Sequence, residues 1–356
     1  MPIKRMPSQR DRIRPPRRFR PWMIVTAGIV LVLVLGWTVF WNFAANEAAS
    51  SLDAWIAREK IFHRNWTCPD RQIAGYPASI EIACSTPRFD GMIFGRHYLG
   101  SLAGFIATAS LADPTAVTLN VTSPFEAQPS EKGDKIALAW NALSVRLGGS
   151  PEDVAEVSVN GSGVDLSGRT EQLGALSMKV AQAHATFSRD TGRQDRAIGF
   201  QIDLNGVSIS AVDAYLGGST PADITTRGYI TQASFDPAKT IAQSLGQWSA
   251  AGGQIELANF VATRGDTRLE ARGTLGIDSD HEVQGQLDTK CVGFEQVLLR
   301  LGVDPAIVTA GSLLATLLGG GNDNKGPQPL HLPVTFTNGQ VSIGPVRTSI
   351  RVPPLY

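Results

Sequence analysis

The sequence is poor in the residues that usually carry chemistry. Its 356 residues include three cysteines and five histidines, and the histidines stand singly, so none of them belongs to a cluster with zinc-ligand spacing. There is also no Gly-x-Ser-x-Gly elbow, phosphate-binding loop or dinucleotide fingerprint. We therefore expect no catalytic, cofactor-binding or metal-binding residues, and an enzyme is the least favoured class of function.

Net charge is absent as well, because 32 basic and 32 acidic side chains cancel. The balance hides a basic segment at the N-terminus: residues 1–21 contain eight Lys or Arg residues and one acidic residue, which leaves a mildly acidic remainder. A mildly acidic body has no electrostatic footprint for nucleic acid. We expect no nucleic-acid partner and interpret the basic segment as a topology signal.

One long uncharged run follows the basic segment. Its apolar part, residues 22–43, would measure about 33 Å as a helix, enough to cross a hydrocarbon core of about 30 Å. Trp22 at one end, and Trp37 and Trp41 near the other, suit the headgroup zones, and the preceding Lys and Arg residues should stay in the cytoplasm. The alternative is a cleaved signal peptide, whose apolar region is usually about 7–15 residues long.

These features predict four parts in the chain, with a single-pass anchor and a body outside the cytoplasm. The parts are a basic cytoplasmic tail (1–21), a transmembrane helix (22–43), a helical stalk (44–63) and a β-rich domain (64–356).

The remainder of the chain alternates apolar and polar residues with a period of two, which is typical of strands with one buried face. The pattern predicts an all-β-dominated fold with a few capping helices, built from large antiparallel meander sheets that form a groove or a sandwich. We expect hairpin turns at 264–266, 278–280, 338–339 and 205–206, and open loops at 127–135 and 319–329. Helices are expected at 210–218, 236–251, 293–302 and 304–318.

The cysteines allow one disulfide. Cys68 and Cys84 flank 15 residues that contain the turn-forming Gly75-Tyr76-Pro77 sequence, so a hairpin would bring the two thiols together. Oxidation is favoured outside the cytoplasm. We predict a Cys68–Cys84 disulfide, with buried free thiols as the alternative, and a packed, unreactive Cys291.

Two stretches carry a family resemblance. "NWTCPDRQIAGYPASIEIAC" and the C-terminal "LPVTFTNGQVSIGPVRTSIRVPPLY", together with the anchor, resemble domain of unknown function 2125, an uncharacterised alphaproteobacterial family. This family often has Gly-Phe-Pro-Phe-Arg where this chain has Gly-Tyr-Pro-Ala-Ser at 75–79. The resemblance implies a bacterial source, so the predicted anchor would lie in the inner membrane and the body in the periplasm.

A shorter resemblance concerns the stretch "LEARGTLGID" followed by "VQGQLDT", which is similar to a repeat unit of AsmA-like envelope proteins. It implies an inner-membrane anchor, a long periplasmic β groove and a role in moving or organising envelope lipids. Neither resemblance brings catalytic residues.

The resulting hypothesis is an inner-membrane-anchored periplasmic protein that binds or organises lipid, or another envelope amphiphile, in an apolar groove. The candidate lining residues are Phe200, Ile202, Leu269 and Ile277. The alternative is a non-enzymatic structural or assembly protein of the cell envelope, whose two sheets close on each other and whose partners are other proteins.

Overall fold

A single antiparallel sheet dominates the computed structural model of this chain. The structure describes residues 21–93, 96–129, 135–150, 153–170, 174–216, 218–234, 239, 241–293 and 330–356. Over these ranges the predicted fold class is confirmed: the chain is mostly β, with few helices and one long apolar N-terminal helix. Residues 1–20 of the basic tail, residues 294–302 and 304–318 of two expected helices, the loop at 319–329 and the expected helix start at 236–237 lie outside the described residues.

The elements follow one another in a simple order. The helices are α1 (Pro21–Ile61), α2 (Ser210–Leu216) and α3 (Ile241–Ala250). The strands of the first half are β1 (Arg64–Thr67), β2 (Asp70–Ala74), β3 (Ser79–Ser85), β4 (Arg88–Ile93), β5 (Arg96–Ser110), β6 (Asp113–Pro129), β7 (Ile136–Ala139), β8 (Ala142–Ser150) and β9 (Asp153–Thr170). Those of the second half are β10 (Gly174–Arg189), β11 (Ile198–Ile209), β12 (Ala222–Ile230), β13 (Ile255–Arg264), β14 (Thr267–Ile277), β15 (Val283–Val292), β16 (Leu330–Thr337), β17 (Gln340–Ile343) and β18 (Val346–Arg351).

The sheet is a meander. Its main order is β2-β3-β5-β6-β8-β9, after which β10 to β18 follow in sequence. β4 pairs with the first half of β5 and with β1, while β7 continues the line of β8 between β6 and β9. Within the described residues β1 pairs only with β4, β2 only with β3 and β18 only with β17, so these three strands form the edges of the sheet.

Alternation along the strands sets the two faces of the sheet. In β15 the side chains of Gln284, Gln286, Asp288 and Lys290 are exposed, whereas those of Thr289 and Cys291, at the alternate positions, are buried. Successive strand residues point to opposite faces. The alternation of apolar and polar residues in the sequence therefore places the apolar side chains on one face of the sheet and the polar side chains on the other.

One predicted turn is wrong. Asn205-Gly206 does not connect two strands, because β11 runs through it to Ile209. Gly206 has a φ of +66°, and the register of β11 against β12 shifts at this point, between Leu204 and Val207. The amide of Gly206 donates to Asp223 Oδ1 at 2.9 Å. The glycine thus serves a bulge inside a strand, where a positive φ is also needed.

One predicted loop is shorter than expected. The sequence at 127–135 suggests an open loop, but β6 continues to Pro129, and Ala127 is among the most buried residues of the chain. It belongs to a cluster with Phe89 and Tyr98, against which three further hydrophobic residues pack. Those residues are Trp66, Phe125 and Ile136. Packing in this cluster overrides the polar composition of the stretch.

The helix α1 is continuous for 41 residues, which corresponds to about 61 Å. Residues 22–37 are exposed, and the helix is long and apolar enough to cross a membrane. The segment predicted as a stalk is helical as far as Ile61 and lies against β1 and β3. Its Ala45 is buried, and Asp53 forms a bidentate ion pair with Arg71 of β2.

The predicted disulfide is present between Cys68 and Cys84, whose Cα atoms are 5.8 Å apart. Cys68 lies between β1 and β2, and Cys84 lies in β3, so the bond joins the segment that leaves α1 to the third strand. Nearby, the Trp55 ring of α1 lies 6.3 Å from the Trp66 ring of β1. The disulfide therefore ties the segment between β1 and β2 to β3, and ring contacts pack β1 against α1.

Candidate functional site

Three adjacent rows of paired residues cross the sheet on one face. Directly paired residues of neighbouring strands share a face, so each row can be followed from strand to strand. The first, here called the Phe200 row, is made only of apolar residues and glycines. It contains Ile80, Ala109, Val117, Leu147, Val157, Phe187, Phe200, Gly228, Leu257, Gly273, Leu287, Val334 and Ile343.

The second and third rows lie beside it on the same face. The Ile202 row contains Ile73, Ile82, Ala107, Leu119, Val145, Val159, Ala185, Ile202, Thr226, Phe260, Ala271, Thr289 and Leu332. The Leu269 row contains Leu143, Gly161, Ala183, Leu204, Ile224, Ala262, Leu269, Cys291 and Leu330. We call the side of the sheet that carries these three rows the apolar face.

The structure places all four predicted lining residues on the apolar face. Phe200 and Ile202 are alternate residues of β11, and Leu269 and Ile277 are positions of equal parity in β14. The Phe200 side chain lies across Gly228 of β12, where an added Cβ would meet the ring at 2.8 Å. An aromatic residue in β11 thus packs over a glycine in β12, and the alternation within each single strand does not reveal this pairing.

The middle of the apolar face is only partly covered. In the Phe200 row, Ile80 and Ile343 at the two ends are buried, whereas the side chains of Val157, Phe187 and Phe200 are half-buried. Over the described ranges, the strand pairs in extensive contact are all hydrogen-bonded neighbours, and no large side chain is fully buried. The oxygen Thr226 Oγ1, in the Ile202 row, is buried and has no hydrogen-bonding partner there.

The helix α3 is bonded to the ends of β12 and β14. Trp248 Nε1 donates to the carbonyl of Thr231 at 2.7 Å, and Ser249 Oγ donates to the carbonyl of Ile277 at 2.9 Å. The Trp248 ring packs on Gly253, where an added Cβ would approach it to 2.3 Å. Ile277, whose carbonyl bonds α3, is buried, while Phe200, Ile202 and Leu269 are half-buried.

The opposite, polar face carries an ion cluster that sequence patterns do not indicate. Arg193, in the loop between β10 and β11, forms bidentate hydrogen bonds with Asp195 and with Glu256 of β13. Its guanidinium carbon lies 4.8 Å from the centre of the Tyr229 ring. These bonds raise the pKa of Arg193, and Arg193 holds the pKa of Asp195 below its usual value. The cluster fastens the loop to the polar face.

The cluster predicts a pH dependence. A carboxyl group whose pKa is lowered in the folded state stabilises the protein above its unfolded pKa of about 3.9, and this stabilisation disappears as the pH falls through the folded value. We expect Arg193→Gln to lower the melting temperature at neutral pH, and we expect its difference from the wild type to shrink as the pH falls below about 3.9.

Melting curves of both proteins, recorded by circular dichroism over that pH range, test this expectation. Arg196→Gln, at an exposed arginine of the same loop, is the matched control and should change neither quantity. A difference between wild type and Arg193→Gln that stays constant down to the lowest pH would contradict it.

Groups that could carry chemistry do not converge in the described part of the chain. No group of three or more His, Cys, Asp or Glu residues there has an arrangement that could hold a metal ion. Cys291 is a buried free thiol in the Leu269 row, and burial raises its pKa. A protonated, inaccessible thiol is a poor nucleophile.

Comparison with known proteins identifies the family. The model of an uncharacterised protein family conserved in bacteria, DUF2125, matches residues 41–350. The chain belongs to the DUF2125 family. No curated protein and no solved structure matches it. The match begins inside α1 and includes every described strand up to β18, so the apolar face is a feature of the DUF2125 region itself. The resemblance to AsmA-like proteins is not tested by this match and stays a prediction.

Proposed function

We propose that this DUF2125 protein is anchored in the bacterial inner membrane by α1, with its body in the periplasm, and that the apolar face binds the acyl chains of lipid or of another envelope amphiphile. The observation that carries the proposal is the apolar face itself, which is thirteen strands wide along the Phe200 row and only half-buried in its middle.

The size of the apolar face is larger than expected for apolar residues that are exposed by chance, and it favours a ligand-binding surface. Neighbouring strands lie about 4.8 Å apart, so thirteen strands correspond to a path of about 58 Å along a row. Contiguous apolar patches on soluble monomers are usually no larger than about 300–600 Å², and larger ones mark sites for ligands, membranes or partners. Acyl chains match such a strip because apolar burial is non-directional and needs no fixed hydrogen bonds.

The position of α1 supports a membrane source for the ligand. The rows begin at β2 and β3, and the carbonyl of Ser79, next to Ile80, accepts a hydrogen bond of 2.8 Å from Trp41 Nε1 of α1. The apolar face therefore starts beside the helix that would cross the bilayer, and it continues away from that helix strand by strand.

The experiment compares two substitutions in one strand. Full-length protein is purified in mild detergent, and co-purifying lipid is quantified by mass spectrometry. We expect Ile202→Glu to reduce lipid per protein by at least about tenfold, because a charge buried without a partner costs more than about 2 kcal/mol. Gln201→Glu, the adjacent position on the polar face, should keep wild-type lipid content.

A second variant separates loss of binding from loss of folding. Ala185 pairs with Ile202 in the Ile202 row, so Ala185→Trp fills the apolar face without adding charge and should also reduce lipid. Circular dichroism checks that each variant keeps the β spectrum. A wild-type protein that carries no lipid, or folded variants with unchanged lipid content, would contradict the proposal.

The alternative is a structural or assembly protein that acts through protein partners. A concavity of about 450 Å³ on the polar face supports it; this cavity is lined in part by Glu270, Arg272, Asp288 and Lys290. Photo-crosslinking in cells from positions on each face distinguishes the two proposals. Lipid adducts from the apolar face favour the first, and protein adducts from the polar face alone favour the second.

A further inference from the structure

The turn between β2 and β3 is fixed to one segment of α1. The Tyr76 ring meets the Trp41 ring edge-on, with centroids 5.6 Å apart, and the Tyr76 hydroxyl is 3.0 Å from Thr38 Oγ1. Trp37 Nε1 donates to the carbonyl of Pro77 at 3.0 Å. With the bond from Trp41 to Ser79, these contacts hold the hairpin tip, residues 75–78, against little more than one turn of the helix.

The distance along α1 from Trp22 to this contact is close to the thickness of the hydrocarbon core of a bilayer. Trp22 and Trp41 are 19 residues apart, or about 28 Å along a helix, and a hydrocarbon core is about 30 Å thick. Tryptophan is enriched at both membrane interfaces. If Trp22 lies at one interface, Trp41 lies at the other, and the hairpin tip attached to it lies there as well.

The composition of the tip suits that position. Residues 73–80 contain no charged side chain, and Tyr76, Pro77 and Ala78 are exposed. The flanking Arg71 is held by Asp53, which is 12 residues beyond Trp41 and therefore about 18 Å further along the helix. A tyrosine with an apolar body and a polar hydroxyl is suited to the boundary between hydrocarbon and headgroups.

We propose that the hairpin tip is a second membrane contact, which enters the interface of the leaflet on the side of the body. The partner is the bilayer itself, at the level of the headgroups and the first acyl carbons. This inference rests on the anchoring role proposed for α1, and it deepens the lipid proposal: β2 and β3, where the rows of the apolar face begin, then stand at the membrane surface from which lipid would enter.

Spin labels test the depth of the tip. The full-length protein with Cys291→Ala has no free thiol besides an added one, because Cys68 and Cys84 are bonded to each other. A label is placed at Ala78→Cys, and the protein is inserted into vesicles of phosphatidylethanolamine and phosphatidylglycerol. Relaxation by oxygen, which concentrates in the bilayer, is compared with relaxation by a water-soluble nickel chelate.

The aqueous reference is a label at Ser279→Cys, an exposed position in the turn after β14. We expect the Ala78 label to be severalfold less accessible to the nickel chelate than the Ser279 label. We also expect it to be more accessible to oxygen. Adding Trp37→Phe, Trp41→Ala and Tyr76→Ala removes the side-chain contacts that attach the tip to α1 and should shift the Ala78 label toward the aqueous pattern. A label at Leu33→Cys, in the middle of the exposed part of α1, reports insertion of the helix.

The outcomes separate this inference from its premises. A lipid-shielded Leu33 label with an Ala78 label as water-accessible as Ser279 would overturn the second contact and leave the anchor intact. A water-accessible Leu33 label would overturn the anchor and this inference with it. Lipid binding by the apolar face is measured separately by mass spectrometry, so its failure would leave the depth of the tip unaffected.

Discussion

Gly273→Ala is expected to destabilise the body by about 3 kcal/mol or more, the sum of backbone strain and overpacking. Gly273 has a φ of +149°, in a region that is populated almost only by glycine. A Cβ at this position would lie 2.2 Å from the carbonyl oxygen of Gln286 on β15. Gly285 has the same relation to Thr274, so β14 and β15 approach each other through two glycines. Urea denaturation of the full-length protein in detergent measures the effect.

Gly276→Ala, in the same strand, is the matched control. The nearest atom to an added Cβ there is the carbonyl oxygen of Gly253 at 3.6 Å, which is an ordinary contact. Replacing glycine where the backbone is compatible usually stabilises a protein by about 0.4–1 kcal/mol, because the unfolded chain loses freedom. We expect opposite signs for the two substitutions. Equal effects would show that the close approach of β14 and β15 is not what requires glycine at 273.

Reducing the Cys68–Cys84 disulfide is expected to lower the free energy of unfolding by about 3 kcal/mol, the chain-entropy value for a loop of about 15 residues. The two cysteines are 16 residues apart, and the bond joins the segment after α1 to β3. The fluorescence of the seven tryptophans follows unfolding in urea, with and without reductant.

The Cys68→Ala variant supplies the internal control for this experiment. Its midpoint in urea should be close to that of the reduced wild type, and reductant should leave it unchanged, because the remaining thiols of Cys84 and Cys291 are unpaired. A wild-type midpoint that does not respond to reductant would refute the stabilising role of the bond. Agreement between the reduced wild type and the variant would assign the effect to this bond.

Local features of the fold follow from the sequence because local physics determines them. The period of two in β14 and β15 predicts strands, the Asn338-Gly339 pair predicts a hairpin turn, and the apolar run predicts the first part of α1; each is present. The disulfide was predictable for the same reason, since a single hairpin brings its two cysteines together.

The remaining features depend on pairings between distant residues. Asn205-Gly206 has the composition of a hairpin turn, but β10 and β12 on either side of β11 keep the strand extended through it. Arg193 and Glu256 are 63 residues apart, and Trp41 and Ser79 are 38 apart. No single-sequence pattern specifies such pairs, so the ion cluster and the attachment of the hairpin tip to α1 emerge only in three dimensions.

The candidate site likewise has a part that the sequence predicts and a part that only the strand pairing determines. Alternation predicted the four candidate lining residues one strand at a time, and each of them lies on the apolar face. The order in which the stripes join depends on the register of every strand pair. The match of Phe200 with Gly228 is an example, because it requires β11 and β12 to pair at one particular offset.

The meander also has a consequence for biosynthesis. From β8 to β18, each strand finds its partner in the next strand of the chain. Pairings between neighbours in sequence have a low entropic cost of loop closure and form quickly. From β8 to β15, each new strand can therefore pair with the edge left by the previous one as the polypeptide emerges, whereas β16 pairs with β15 across 37 intervening residues.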